Sequence, residues 1–224
     1  MVFETILDEA KIQRMQSDGY WTNRTILDDL NRHVTETPDK EAIYDGRVRL
    51  TYRELMRLVR RCAGGLLDLG VKPGMVVSYQ IPNWHEFVVV HLAVTMIGAV
   101  NNPLIPIYRE REVSFMLGLA ESCVYIAPKE FRGFDYENMI GKLKGRLPSL
   151  KHVIVIGRPS DPSSICYEEW MKTDWEEKYG HQLEQIAVNP NDVTLLMFTS
   201  GTTGEPKGVL HTHNTLMYAN DALR

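Results

Sequence analysis

Leu55, Leu58, Val59, Cys62, Leu66 and Leu69 recur at helical spacing and draw one apolar stripe. Thr51 opens that helix, Glu54 three residues on completes a capping box, and Gly70 supplies a left-handed stop. Just before it, Ala42-Ile43-Tyr44 and Val48-Arg49-Leu50 flank Asp45-Gly46, a pair that favours a hairpin turn. Met75 to Gln80 reads as a strand, and Asn83 with Glu86 predicts a cap for a helix over 84–97 that stops at Gly98. The apolar run from Phe87 to Val100, His91 included, holds fourteen residues. That is too short to span a bilayer and predicts a core helix. A strand near Ala99-Val100, a helix over 109–120, a strand Cys123 to Ala127, a helix over 135–146 and a strand Val153 to Ile156 come next. Residues 157–190 are polar, with one helix predicted near 167–178, and residues 1–24 read as a polar leader with a short helix ending at Gly19. The chain then runs through an apolar strand, Val193 to Phe198, an alternating strand over 208–212 and a helix from Asn214. This βαβα alternation predicts an α/β fold, a mostly parallel sheet with helices on both faces.

Composition narrows the classes of function. The net charge of −4 comes without a basic block, which argues against nucleic acid and anionic membranes as partners. Cys62, Cys123 and Cys166 are widely spaced and form no C-x-x-C pair, so reduced thiols in a cytoplasmic protein are expected. The first residues, Met1 to Glu9, carry acids where a signal peptide carries lysines.

The densest chemistry lies in Thr199-Ser200-Gly201-Thr202-Thr203-Gly204-Glu205-Pro206-Lys207-Gly208, with four hydroxyls, three glycines and one lysine. Glycine permits φ > 0 and close approach, so successive N–H groups can converge on phosphate oxygens. Hydroxyls add donors and Lys207 adds a charge. The spacing is not the nucleotide-triphosphatase loop, because Pro206 stands where that pattern needs glycine and Gly208 where it needs a hydroxyl. Nor is it the dinucleotide fingerprint, which requires glycine in place of Thr203 and a helix directly after.

The run resembles the phosphate loop of adenylate-forming enzymes: acyl-CoA synthetases, luciferases and peptide-synthetase adenylation domains. Leu50-Thr51-Tyr52-Arg53-Glu54-Leu55 resembles an early element of that superfamily, and Met96 to Pro106, with Asn101-Asn102-Pro103-Leu104, resembles its second core element in the synthetase version. Ile81 to Phe87 and Tyr108 to Glu112 are most similar to ligases of alicyclic, medium-chain and aryl acids such as cyclohexanecarboxylate–CoA ligases. The resemblance implies that a carboxylate attacks the α-phosphorus of ATP, giving acyl-adenylate and pyrophosphate, and that coenzyme A then displaces AMP. It places Thr199, Ser200, Gly201, Thr202, Thr203 and Gly204 around the ATP phosphates, with Lys207 balancing charge or holding the loop. Mg²⁺ is expected with the nucleotide.

Family members run well over twice this length, and their adenine-flanking segment, ribose-binding aspartate, hinge and C-terminal lid with its lysine have no counterpart here. The chain is therefore expected to be an N-terminal portion, inactive alone. None of Lys142, Lys144, Lys172 or Lys178 sits in a motif to replace that lysine, so no catalytic residue is carried over. The resemblance divides the chain into 1–70, a leader and an incomplete second subdomain, and 71–224, an α/β subdomain ending with the phosphate loop. The 51–69 helix would then lack its partner, which predicts a homodimer through its stripe. A non-catalytic nucleotide-binding module, or another adenylation enzyme sharing the first half-reaction, stays open.

Other residues favour plain roles. His211 and His213 stand two apart on a strand, but zinc needs a third protein ligand and groups that orient the set, so they read as strand-end polar residues and no metal site is assigned. Trp84 and Phe87 fit helical core packing better than a ligand slot, and Arg109 to Glu112 fit a solvated helix start.

Overall fold

The computed structural model describes Phe3, Thr5, residues 7–199 and residues 206–222. Helices α1 (Glu9–Ser17) and α2 (Ile26–Glu36) precede the hairpin of β1 (Glu41–Tyr44) and β2 (Arg49–Thr51). Next come α3 (Tyr52–Asp68), β3 (Val76–Tyr79), α4 (His85–Met96), β4 (Val100–Pro103), α5 (Glu110–Leu119) and β5 (Val124–Pro128). A small hairpin of β6 (Glu130–Phe131) and β7 (Phe134–Asp135) leads to α6 (Tyr136–Leu143), β8 (His152–Ile156), β9 (Ile165–Cys166), α7 (Tyr167–Trp170) and α8 (Trp175–Gln185). Strands β10 (Val193–Thr199) and β11 (Lys207–Thr212) and helix α9 (His213–Asp221) complete the order.

Seven strands form the main sheet in the order β11-β10-β4-β3-β5-β8-β9, and every neighbouring pair is parallel except β10 with β11. Alternate residues serve opposite faces, as the pleat demands. Val124, Ile126, Ile154 and Ile156 pack towards α3, α4 and α8, whereas Tyr125, Ala127, Val153 and Val155 pack towards α5 and α6. The sheet is thus covered on both sides, as predicted, and its central strand β3 is buried along its whole length.

Local signals explain most boundaries. At the start of α3 the Glu54 N–H donates to Thr51 Oγ1 at 3.2 Å and the Thr51 N–H to Glu54 Oε2 at 2.8 Å, and Gly70 stands at φ 79°. The cap expected at Asn83 is absent. Trp84 is the N-cap of α4, and Glu86 instead accepts from Arg47 Nη2 at 2.6 Å. An ion pair to the β1–β2 turn has outcompeted the local bond.

Helix α2, absent from the elements predicted above, is fixed by a capping box between Thr25 and Asp28 and buries Leu30. The single helix expected over 167–178 is two, because Asp174 caps a new start by accepting from the Glu177 N–H. The β6–β7 hairpin turns through Arg132 and Gly133, both at positive φ, a turn that β-hairpins favour.

The exposed face on which the homodimer expectation rested is not there. Leu55, Val59, Cys62 and Leu66 are buried among α2, α4 and α8. Gly64 and Gly65 make this possible, since a Cβ on Gly65 would lie 2.3 Å from Trp170 Cζ2 and one on Gly64 2.8 Å from the Trp175 carbonyl. Burying each large member of the stripe contributes about 1.5–3 kcal/mol. Among the described residues no helix is long and apolar enough to cross a membrane, and the three cysteines are free thiols.

Candidate functional site

Strand β10 delivers the chain to the carboxyl edge of the parallel sheet, where open α/β sheets bind their ligands. Its two faces are anchored differently. Leu196 and Phe198 pack with Val76, Val100 and Ala120, and Phe198 meets Phe115 edge-on at 6.5 Å. Leu195 and Met197 face the other way, into an apolar cavity of about 520 Å³ beside Phe87 and His91 of α4.

Thr199 ends β10 and is paired in register with Lys207, which begins β11; both side chains are exposed. The segment between them therefore leaves and re-enters the sheet at its carboxyl edge. Ser200, Gly201, Thr202, Thr203 and Gly204, the remaining residues assigned to phosphate, lie outside the described residues. Gly208 has a packing neighbour: a Cβ there would sit 2.9 Å from Leu196 Cδ1 on the paired strand β10, whose side chain would have to shift.

The run gives way to a strand, as the sequence predicted. Helix α9 starts only after β11 has returned to the amino end of β10, where Thr212 pairs with Val193. Unlike in the better-known phosphate loops, the helix that follows the run does not start at the end of β10.

His211 and His213 do not share a strand face. Strand β11 ends at Thr212, and His213 opens α9, buried and pushed down to about 4 by burial. His91 is likewise pushed down to about 4, by burial first and by His213 second. The one grouping among the described residues that could hold a metal ion is Asp45, His85 and Glu86. Arg47 already fills it, 3.1 Å from Asp45 and 2.6 Å from Glu86. Burial alone would raise the Asp45 carboxyl, but hydrogen bonds from Val48, His85 and Arg47 outweigh it and hold the group well below the usual carboxylate range. This cluster ties the β1–β2 turn to α4.

Trp84 lies under the Arg47 guanidinium at 4.2 Å and meets Phe131 edge-on. Phe87 packs against Tyr79 and also lines the cavity, so its role is both core and wall. The helix start at 109–112 is exposed as expected, although Arg109 also donates to the Pro106 carbonyl at 2.8 Å and lies over Phe134.

Sequence reasoning missed the side chains behind β10. Asn101, fully buried on β4, donates to the Thr194 carbonyl at 3.2 Å and to Thr95 Oγ1 at 3.0 Å, and accepts from Tyr79 Oη at 3.1 Å. Two adjacent asparagines inside an apolar segment are the signal that could have found it, because buried amides require partners.

Comparison with known proteins agrees with this layout. The model of the AMP-binding enzyme family matches residues 30–223. The chain is 31% identical over 208 residues to a 2-hydroxy-7-methoxy-5-methyl-1-naphthoate–CoA ligase of Streptomyces carzinostaticus, covering 92% of this chain and 37% of that protein. It is 28% identical to the medium-chain fatty-acid–CoA ligase of Escherichia coli (strain K12), covering 96% of this chain and 38% of that one. With the 2,3-dihydroxybenzoate-AMP ligase of Bacillus subtilis (strain 168) it shares 30% identity over 91% of this chain and 36% of that one. The apo structure of MbtA from Mycobacterium smegmatis superposes with a TM-score of 0.79 at 28% identity, covering 96% of this chain and 38% of that one. The chain thus spans little more than a third of each relative's length. With the fold and the family match in agreement, the chain belongs to the AMP-binding enzyme family, whose adenylate-forming ligases are its relatives.

Proposed function

We propose that the protein carrying this chain activates a small carboxylic acid with ATP and passes the acyl group to coenzyme A. The observation that carries this reading is the pairing of Thr199 with Lys207 at the carboxyl edge of the sheet, bracketing a run rich in hydroxyls and glycine. In the first half-reaction a carboxylate oxygen bonds to the α-phosphorus of ATP while the bond to the bridging oxygen breaks. Negative charge then grows on departing pyrophosphate. Donors held ready for that charge stabilise it without reorganising, which is where such sites gain most. Thr199, Ser200, Gly201, Thr202, Thr203 and Gly204 supply those donors and Lys207 a positive charge, while Mg²⁺ arrives with the phosphates of the substrate. Residues 71–224 form the unit that carries the run, flanked by residues 1–70.

A second reading keeps the first half-reaction and changes the acceptor. A relative named as an AMP ligase stands at 30% identity beside one named as a CoA ligase at 31%, so near-equal relatives differ in whether coenzyme A is part of their named activity. One assay separates the readings. In the full-length protein, pyrophosphate release is followed for aliphatic, alicyclic and aryl acids, with and without coenzyme A. The expected result is acid-dependent pyrophosphate release, with acyl-CoA and AMP formed on adding coenzyme A. Adenylate that accumulates despite coenzyme A would favour a carrier-bound acceptor. Absence of pyrophosphate release with every acid would contradict both and leave a non-catalytic nucleotide-binding module.

A further inference from the structure

Strand β10 meets the body of the sheet along β4. Its ladder with β4 has one registered pair, Leu195 with Asn101, and its other neighbour is β11, the second arm of its own hairpin. The Asn101 side chain adds a further tie between the two strands, through its bond to the Thr194 carbonyl at 3.2 Å.

Proton bookkeeping shows that this amide has one workable orientation. Turning it over would set its oxygen against the Thr194 carbonyl oxygen, so Nδ2 faces Thr194 and Oδ1 faces Tyr79. Tyr79 has a single proton, given to Asn101 Oδ1, so the 2.7 Å contact with His91 must be a donation from His91 Nδ1–H. The second Asn101 proton goes to Thr95 Oγ1, which donates in turn to the His91 carbonyl at 2.8 Å. Asn101, Tyr79, His91 and Thr95 therefore close a ring of hydrogen bonds in the buried space behind β10. Such a ring locks each member's rotamer.

We propose that Asn101 is a positioning residue for acid activation: its grip on the Thr194 carbonyl sets the height of β10 and thereby places Thr199 and Lys207 for the phosphates of ATP. This rests on the reading of the 199–208 run as the ATP phosphate site. Asn101 touches no substrate, and its effect passes through the strand.

The test is ATP–pyrophosphate exchange by the full-length protein, with KM for ATP and KM for the acid measured separately. Asn101→Asp replaces the donor facing Thr194 with a carboxyl oxygen. Tyr79→Phe keeps the ring and removes only the hydroxyl that orients the amide. Loss of about one net hydrogen bond predicts KM for ATP raised about ten-fold in Asn101→Asp and about three-fold in Tyr79→Phe. KM for the acid stays within about two-fold of the parent in both, which a merely destabilised protein would not select. Should Asn101→Asp fail to fold, Tyr79→Phe alone decides. An unchanged KM for ATP in the folded variants, with kcat falling only in step with the folded fraction, overturns the proposal. Thr202→Ala plus Thr203→Ala in the same assay keeps the two questions apart. If that variant exchanges normally, the ATP reading fails and this inference with it. If it is impaired while the Asn101 and Tyr79 variants keep the parental KM, only the positioning role is lost.

Discussion

Replacing Thr202 and Thr203 together by alanine in the full-length protein is expected to lower ATP–pyrophosphate exchange by about 10²–10³-fold, the usual loss on removing donors aimed at developing charge. The size reflects where the run stands. Its flanking residues Thr199 and Lys207 meet at the carboxyl edge, and β11 carries the chain straight back across the sheet. Helix α9 begins at the opposite edge, so the helix that follows the run adds no dipole there. Exchange within about two-fold of the parent, where a single charge-directed hydrogen bond already contributes more, would remove the assignment.

The largest structural effect is expected at Gly65. Helix α3 meets α7 through this residue, and an added Cβ would stand 2.3 Å from Trp170 Cζ2 and 2.6 Å from Cε2. Two effects oppose each other in Gly65→Ala. Alanine in a helix interior gains about 1 kcal/mol in propensity. Overpacking a filled core costs about 1–3 kcal/mol, and the obstacle is a buried indole rather than the tip of a flexible chain. The clash should win, giving lower stability in urea denaturation. Gly141→Ala is the matched control: this glycine lies in α6 with nothing within 4 Å of an added Cβ, so there the propensity gain should appear uncompensated. Equal stability of Gly65→Ala and the parent would mean that α7 does not cover α3 as described.

Gly65 also shows where sequence reading stopped. The stripe from Leu55 to Leu69, its cap at Thr51 and its stop at Gly70 are local features, legible within one turn of the chain, and α3 formed as predicted. The cover of the stripe is not local. Trp170 and Trp175 come from over a hundred residues downstream, out of a stretch read as polar with one helix, whereas the resemblance put the partner of the stripe in the rest of an incomplete second subdomain. The same contrast holds at Glu86, whose spacing to Asn83 predicted a cap while Arg47, thirty-nine positions earlier, holds the carboxylate. Strands β3, β4, β5 and β8 were legible because runs buried on both faces carry no polar alternation. Strand β9, only two residues long, and the two-residue arms of the β6–β7 hairpin were too short for any period to register.

At the candidate site, the ends of the run were legible: β10 and β11 flank it as an apolar and an alternating strand should. The roles of single residues within it were not. Gly208 entered only as a letter of the run, yet a Cβ there would crowd the Leu196 side chain on the neighbouring strand. Asn101 entered only as one letter of a family element, since nothing in its spacing reveals that its amide reaches Thr194.

The most direct measurement is a crystal structure of the full-length protein with a non-hydrolysable ATP analogue and Mg²⁺. The hydroxyls and N–H groups between Thr199 and Lys207 should then stand within hydrogen-bonding distance, about 2.7–3.2 Å, of the β- and γ-phosphate oxygens. A nucleotide bound with its phosphates elsewhere, and that segment touching none of them, would contradict the central claim.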